Sequence, residues 1–371
     1  MTGDKKTNAL TDLSICYLYP FDLGMELKLP DKLPRYGREI ANKQDAAHVL
    51  YKGQNLGPAS ISAFVYAFGV GMIKISFNFK GTLGSACDLS INAENIRLDR
   101  YTLPIYLRNE AEAVIARTKA FASFIYADRL EGSDEIFRLF SIPYEQEKID
   151  ASTFIRKNYK TLFGIVTGEP SFNELSDYAL KQESLKNIGY YDKEAILIKR
   201  FGAIIYSKED AILKDLISLA LAQFYNLKSS NFFLERSLLR AQRVLNEQPP
   251  FKYFWKIPKA YQRLSSEQTE FSKAKIALTE SLYSTSVPGG DIPEIDSDWH
   301  LRSVHKEILS TFETDELLQA ARARLETVDT IYSNLRDHLS TVFFIFLDFV
   351  FLAWLTVDLG YYVLLLMKLS N

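Results

Sequence analysis

The hydrophobic pattern changes character twice along the chain, and each change predicts a different kind of element. Residues 14–24, SICYLYPFDLG, form an apolar and aromatic run that ends at a proline-containing turn, as a strand does. A loop rich in proline and glycine follows, around Pro30, Pro34, Gly53 and Pro58. Residues 61–79, ISAFVYAFGVGMIKISFNF, are aromatic and β-branched but interrupted by Gly69 and Gly71, which predicts two strands joined or bulged at the glycines. Residues 87–108, CDLSINAENIRLDRYTLPIYLR, continue the strand-like pattern. Residues 109–131 turn helical, with Val114, Thr118, Phe121 and Ile125 along one face. Polarity rises over 133–190, where the pattern assigns no element, and residues 194–207, EAILIKRFGAIIYS, read as a strand or a tight hairpin. The expectation for 1–206 is an α/β domain with a mixed sheet.

From there the period becomes helical. Ser207 is placed to cap a helix, with Asp210 three positions on as in a capping box. That helix has room for roughly 39 residues, about 60 Å, as one piece or two, before Pro249 and Pro250 stop it. Residues 259–283 predict a second amphipathic helix, and 284–298, STSVPGGDIPEIDSD, a loop. A last helix is expected to start near Trp299 and to continue without a break into the C-terminal segment. Within it Leu318, Ala321, Leu325, Val328, Tyr332, Leu335 and Leu339 alternate at spacings of three and four, a heptad seam of three repeats. The same count continues through Val342, Phe346, Phe349, Ala353, Thr356 and Gly360. Such a seam serves either packing within the chain against the two preceding helices or self-association of a coiled-coil-like stalk. Residues 207–340 are thus expected to form a helical domain, α+β in sum with the first half.

Residues 342–367 are apolar enough to enter a bilayer. A helix of that length would be roughly 39 Å long, against about 20 residues needed to cross the hydrocarbon core. Its five Phe, seven Leu, four Val and one Ile contribute roughly −5 to −10 kcal/mol on an insertion scale, against about +3 for each central aspartate. Insertion wins despite Asp348 and Asp358, so 341–371 is expected to be a transmembrane segment. Aspartates in a span face a bundle interior or water and mark function by default; the alternative is a tilted or marginal helix whose carboxylates reach the interface. Arg322, Arg324 and Arg336 precede the span and Lys368 follows it, which puts the bulk of the chain on the cytoplasmic side. The polar N-terminus, MTGDKKTNALTDLS, has neither an apolar signal core nor the arginines of a transit peptide, an observation that favours a bacterial inner membrane over a mitochondrial one.

Charge and chemistry narrow the function classes. Forty-four Lys and Arg against 46 Asp and Glu leave no global field for nucleic acid. Two cysteines, Cys16 and Cys87, exclude a disulfide framework and a thiolate metal cluster. The histidines His48, His300, His305 and His338 have no i, i+4 partner or nearby ligand group, and the glycine pairs in FGVGMIK and KGTLGS complete neither a P-loop nor a dinucleotide fingerprint. No motif nominates a catalytic residue, a cofactor or a metal. Arg236, Arg240 and Arg243 fall at i, i+4 and i+7, with Lys252 and Lys256 beyond. They read as a solvated face paired with Glu235 and Glu247, or as a surface for RNA or anionic lipid phosphates, with nearby aromatics able to stack on bases.

The order of these parts resembles the family named for "required for meiotic nuclear division". The matching stretches are ICYLYPFDLGMELKL, FVYAFGVGMIKISF, DLISLALAQFYNL, DIPEIDSDWHLRSVHKEI and ARARLETVDTIYSNLRDHLS, followed by the C-terminal apolar segment. They cover most of the chain in order; LALAQ (219–223) and the Pro-Glu then Trp299 loop are the most specific. The spacing between Gly81 and Tyr190, and the acidic run Ile295, Asp296, Ser297, Asp298, depart from the family. The resemblance implies a C-terminally anchored membrane protein whose eukaryotic relatives support translation at the mitochondrial inner membrane, and it brings no enzyme activity with it. The favoured expectation is a non-enzymatic, membrane-anchored scaffold that gathers protein partners at the inner face and self-associates through its last helix. The alternatives are an oligomeric channel or transporter of CorA-like layout, which lacks here the Gly-Met-Asn loop and a second span, and an RNA- or lipid-associated module.

Overall fold

The computed structural model describes residues 11–28, 37–131, 135–144, 150–246, 256–286, 295 and 297–369. The described residues form eleven strands, interleaved with the first four helices: β1 (Thr11–Asp22), β2 (Met25–Leu27), β3 (Arg38–Tyr51), β4 (Gln54–Val65), β5 (Val70–Gly81), β6 (Arg97–Leu98), β7 (Tyr101–Thr102), β8 (Ala122–Ile125), β9 (Phe137–Ser141), β10 (Ala195–Lys199) and β11 (Gly202–Tyr206). Nine of them form one mixed sheet in the order β10-β11-β9-β1-β5-β4-β3-β6-β7, in which β9 and β11 are the parallel pair; β2 and β8 form a separate ribbon. The helices are α1 (Leu83–Ile91), α2 (Leu103–Thr118), α3 (Ala151–Thr167), α4 (Asp177–Gln182), α5 (Asp210–Asn246), α6 (Ile257–Ser286), α7 (Trp299–Thr311) and α8 (Thr314–Leu369).

Alternation along β1 explains why the sheet needs cover on both sides. Leu13, Ile15, Tyr17, Tyr19 and Phe21 enter one core with residues of α1, α2 and α3. Cys16 and Leu18, on the opposite face, enter a second core with Leu216, Ala220 and Phe224 of α5 and Val304 and Ile308 of α7. Successive strand residues point to opposite faces, so β1 feeds both cores. Pro20 sits in this central strand because β9 pairs only with Ser14 to Leu18, leaving no partner on that edge for the amide that proline lacks.

The glycine-interrupted run forms the expected pair of strands, β4 and β5, joined by a tight turn in which the Tyr66 amide donates to the Val70 carbonyl at 2.8 Å. Gly69 takes φ +82° there, and Gly71 lies against the Phe21 ring. The 194–207 run is a hairpin, β10–β11. Other expectations are corrected. Residues 87–91 are helical, because the Thr82 hydroxyl accepts from the Ser85 amide and starts α1. α2 begins earlier than expected, with Pro104 in its first turn, and stops at Thr118, whose hydroxyl bonds back to the Val114 and Ile115 carbonyls. Phe121 and Ile125 therefore leave the helical face and are exposed. The last helix is two helices, broken at Glu313 in left-handed conformation (φ +54°) beside buried Phe312. Much of the 284–298 loop lies outside the described residues, although Asp298 caps α7 by accepting from the His300 and Leu301 amides.

The chain has two compact units, Met1–Ser230 with Thr279–Gln319, and Asn231–Leu278 with Ala320–Asn371. They cut across the limits at 206 and 340 expected from the sequence, because the first half of α5 is a covering layer of the sheet. In the second unit the rest of α5, the first part of α6 and α8 pack together. The Arg324 guanidinium donates to Asn231 Oδ1 at 2.8 Å, and Lys275 pairs with Asp329 at 2.8 Å. Phe271 meets Tyr332 with ring centroids 5.2 Å apart, and Tyr261 stacks on Phe343 at 5.3 Å. Sequence numbers fall along α6 as they rise along α8, so those two helices run antiparallel.

Gly53 and Gly69 share nearly the same φ, +80° and +82°, but a Cβ at Gly53 meets open space whereas one at Gly69 falls 2.6 Å from the Met25 carbonyl oxygen. Gly53→Ala is expected to lower stability by about 1 kcal/mol and Gly69→Ala by about 2 kcal/mol more, measured by denaturant unfolding.

Candidate functional site

Three surfaces meet the sequence-based expectations or add to them. The first is the C-terminal part of α8, whose most apolar 18 residues have mean hydropathy 2.2 and are 0 % buried. Phe344, Trp354 and Val357 are 64, 61 and 73 % exposed. The cover fails for a geometric reason. Tyr261 stands opposite Phe343, and α6 begins only four residues earlier, at Ile257, so α6 has run out near residue 347 of α8. From there to Met367 the uncovered helix is about 31 Å long, the thickness of a bilayer's hydrocarbon core. Asp348 lies at the start of that stretch, exposed, and Asp358, half-buried, near its middle. Thr356 satisfies its hydroxyl within the helix by donating to the Leu352 carbonyl at 2.8 Å.

Upstream, the heptad seam is occupied within one chain. Ala321, Val328, Tyr332, Leu335 and Leu339 are buried, while Leu318 and Leu325 are half-buried. Of the two uses open to such a seam, the structure contains the intramolecular one, and those side chains do not form an exposed stalk surface. The basic stripe is uneven. Arg236 lies over the Phe232 ring at 5.2 Å, Arg236 and Arg243 are exposed, and Arg240 is half-buried beside Tyr332. Lys256 is exposed, and Lys252 lies outside the described residues.

The third surface was not legible in the sequence. It is a cleft of about 420 Å³ in the first unit. β1 contributes Tyr19, Phe21 and Asp22 from the part that outruns β9. α2 contributes Arg108, Ala111, Glu112 and Ile115, one face at i, i+3, i+4 and i+7. Residues 129–131 and Tyr225 of α5 close it. Asp22 accepts from the Gly24 amide and the Leu130 amide, each at 2.8 Å, and from the Ser229 hydroxyl. Burial nonetheless raises its pKa, opposed by those hydrogen bonds and by the Arg129 cation. Arg129 is held by Glu112 at 2.8 Å and Glu131 at 3.9 Å. A helix-face pattern on α2 was the single sequence signal here, because the Asp22–Leu130 contact spans 108 positions.

Close by, Glu26 accepts from the Tyr126 hydroxyl at 2.7 Å, and burial pushes its carboxyl up to about 8, with the nearby Asp22 charge adding to the shift. On the far side of the molecule's sheet, His305 meets Gln223 of the LALAQ stretch at 3.1 Å, and burial lowers its pKa to about 4. His300 is buried between Glu194 and Glu209, its Nε2 3.8 Å from the first and its Nδ1 3.8 Å from the second. Among the described residues no group of three or more His, Cys, Asp or Glu side chains is placed to hold a metal ion.

The Glu26 shift sets a pH dependence of known sign. Unfolded, the carboxyl ionises near 4.5; folded, it keeps its proton to about 8. Between those values the folded state binds the extra proton, so stability falls as pH rises, by roughly 1 kcal/mol per unit from this group, and levels off above. Denaturant unfolding from pH 5.5 to 8 should show that decline, and Glu26→Gln should flatten it.

No family model matches the chain, and no curated protein and no solved structure is similar to it.

Proposed function

We propose that this chain is a non-enzymatic, single-pass membrane protein, held by the C-terminal part of α8, that presents its mixed-sheet unit at the cytoplasmic face to gather protein partners. The observation that carries the reading is the length match: α8 loses its cover of neighbouring helices near residue 347, and the bare apolar remainder is about as long as a bilayer core is thick. An exposed apolar surface of that extent is unstable in water and marks a membrane or a partner. Arg322, Arg324 and Arg336 before the segment support the inward orientation of the larger part. The non-enzymatic part of the proposal rests on the lack of a catalytic motif in the sequence and on the resemblance to the meiotic-nuclear-division family, which brings no enzyme activity with it and whose eukaryotic relatives suggest the mitochondrial inner membrane as a setting.

Self-association through the upstream seam is not part of the proposal, since Val328, Tyr332, Leu335 and Leu339 are already buried within one chain. A channel would need several copies, because one described helix is long and apolar enough to cross a membrane. Exposed Arg236 and Arg243 belong to the same unit as that helix. This favours anionic lipid headgroups over RNA as their phosphate partner.

Alkaline carbonate extraction of membranes carrying the full chain, or the chain ending at residue 341, tests the anchor. The full chain should stay in the membrane pellet and float with lipid, while the truncated chain should be soluble and retain the same unfolding midpoint. Release of the full chain by carbonate, or membrane retention of the truncated one, contradicts the proposal.

A further inference from the structure

The cleft beside Asp22 has a chemical character of its own, independent of the membrane reading. Its size lies within the roughly 300–1,000 Å³ of small-molecule sites. Its walls are of two kinds. Tyr19 and Phe21 stack with ring centroids 6.1 Å apart, and with Ile115 they make an apolar side. The charged side carries both signs: the Arg108 and Arg129 guanidiniums, and the carboxylates of Asp22, Glu112 and Glu131.

That mixture discriminates among ligand classes. A nucleotide polyphosphate would face the carboxylates and a polyamine the guanidiniums, so a ligand of a single sign matches only part of the wall. A purely apolar molecule would strip water from these charged side chains and give no polar contact in return, which is unfavourable. A molecule with one group of each sign and an apolar arm satisfies every wall. Arg129 is already clamped between Glu112 and Glu131, so its planar fork is fixed before a ligand arrives. A carboxylate has about four acceptor positions, and Asp22 fills three with Gly24, Leu130 and Ser229. By that count Asp22, which lines the cleft, can take one further N–H donor.

We propose that this cleft binds a free α-amino acid with an aromatic or aliphatic side chain: the carboxylate on Arg108 and Arg129, the ammonium on Asp22, and the side chain against Tyr19, Phe21 and Ile115. The ammonium takes the place of the proton that burial favours on Asp22. The cleft lies within the first compact unit, at the end of β1 that β9 leaves unpaired, so the same break in pairing that admits Pro20 opens the site.

Calorimetric titration of the full chain in nanodiscs distinguishes this from other readings. The probes are L-phenylalanine and L-leucine, with 3-phenylpropanoate lacking the amine and phenethylamine lacking the carboxylate. At least one amino acid should bind saturably, and both single-charge analogues should bind about ten-fold or more weakly, since each loses one charge-assisted contact. Arg108→Gln, a change at an exposed residue of the cleft wall, should weaken the amino acid by about the same factor and leave phenethylamine unaffected. The analogue series avoids reliance on Asp22→Asn, whose carboxylate also holds the local turn. Equal binding of phenylpropanoate would make this an anion site, equal binding of phenethylamine a cation site, and no saturable binding of either amino acid would leave the cleft without this role; each result overturns the proposal.

Discussion

A β-sheet that is apolar on both faces is stable only between two layers, and most of this fold follows from that requirement. β1 shows it residue by residue, with Ile15 and Tyr17 bracketing Cys16 and each neighbour facing the opposite core. The first layer comes from α1, α2 and α3, which the chain threads among the strands. The second must come from later in the chain, and the first half of α5 with α7 supplies it. The first half of α5 and α7 are therefore part of the sheet's own unit. The same geometry puts Cys16 and Cys87 in different cores, both as free thiols.

α8 meets the same hydrophobic requirement in two environments. As far as Leu339 its apolar positions at spacings of three and four are mostly buried, Ala321, Val328, Tyr332, Leu335 and Leu339 fully and Leu318 and Leu325 in part. Beyond residue 347 none of the described residues covers it, and the polar face disappears too: Leu352, Leu359, Leu364 and Leu366 are all exposed. A soluble helix would carry charge there. The two aspartates then differ in kind. Asp348 sits where the cover ends, within reach of an interface, whereas Asp358 is set ten residues deeper, about 15 Å along the axis, where an ionised carboxylate needs a partner or water.

Legibility from sequence followed the range of the interactions. The β4–β5 pair, the β10–β11 hairpin and the long amphipathic helices depend on local period and glycine placement, and they were readable. Residues 87–91 were misread because CDLSI alternates apolar and polar residues as a strand does, and the deciding contact is the Thr82 cap. The break at Glu313 left no proline or glycine to signal it. The seam was visible in Val328, Tyr332 and Leu335, but a heptad does not name its partner, and Phe271 of the same chain took that place. The cleft was invisible because Asp22, Arg108, Arg129 and Tyr225 meet only through the sheet's long-range pairing.

The account stands on the uncovered part of α8 lying in hydrocarbon while the rest of the chain lies in water. Nitroxides placed one at a time from Phe344 to Met367, in the full chain in nanodiscs, report this through their collisions with oxygen and with a water-soluble nickel complex. The account predicts oxygen access that rises towards the Trp354–Val357 region and falls at both ends, with nickel access the reverse. Uniformly high nickel access along the segment, or low access to both reagents as in a protein interior, would contradict it.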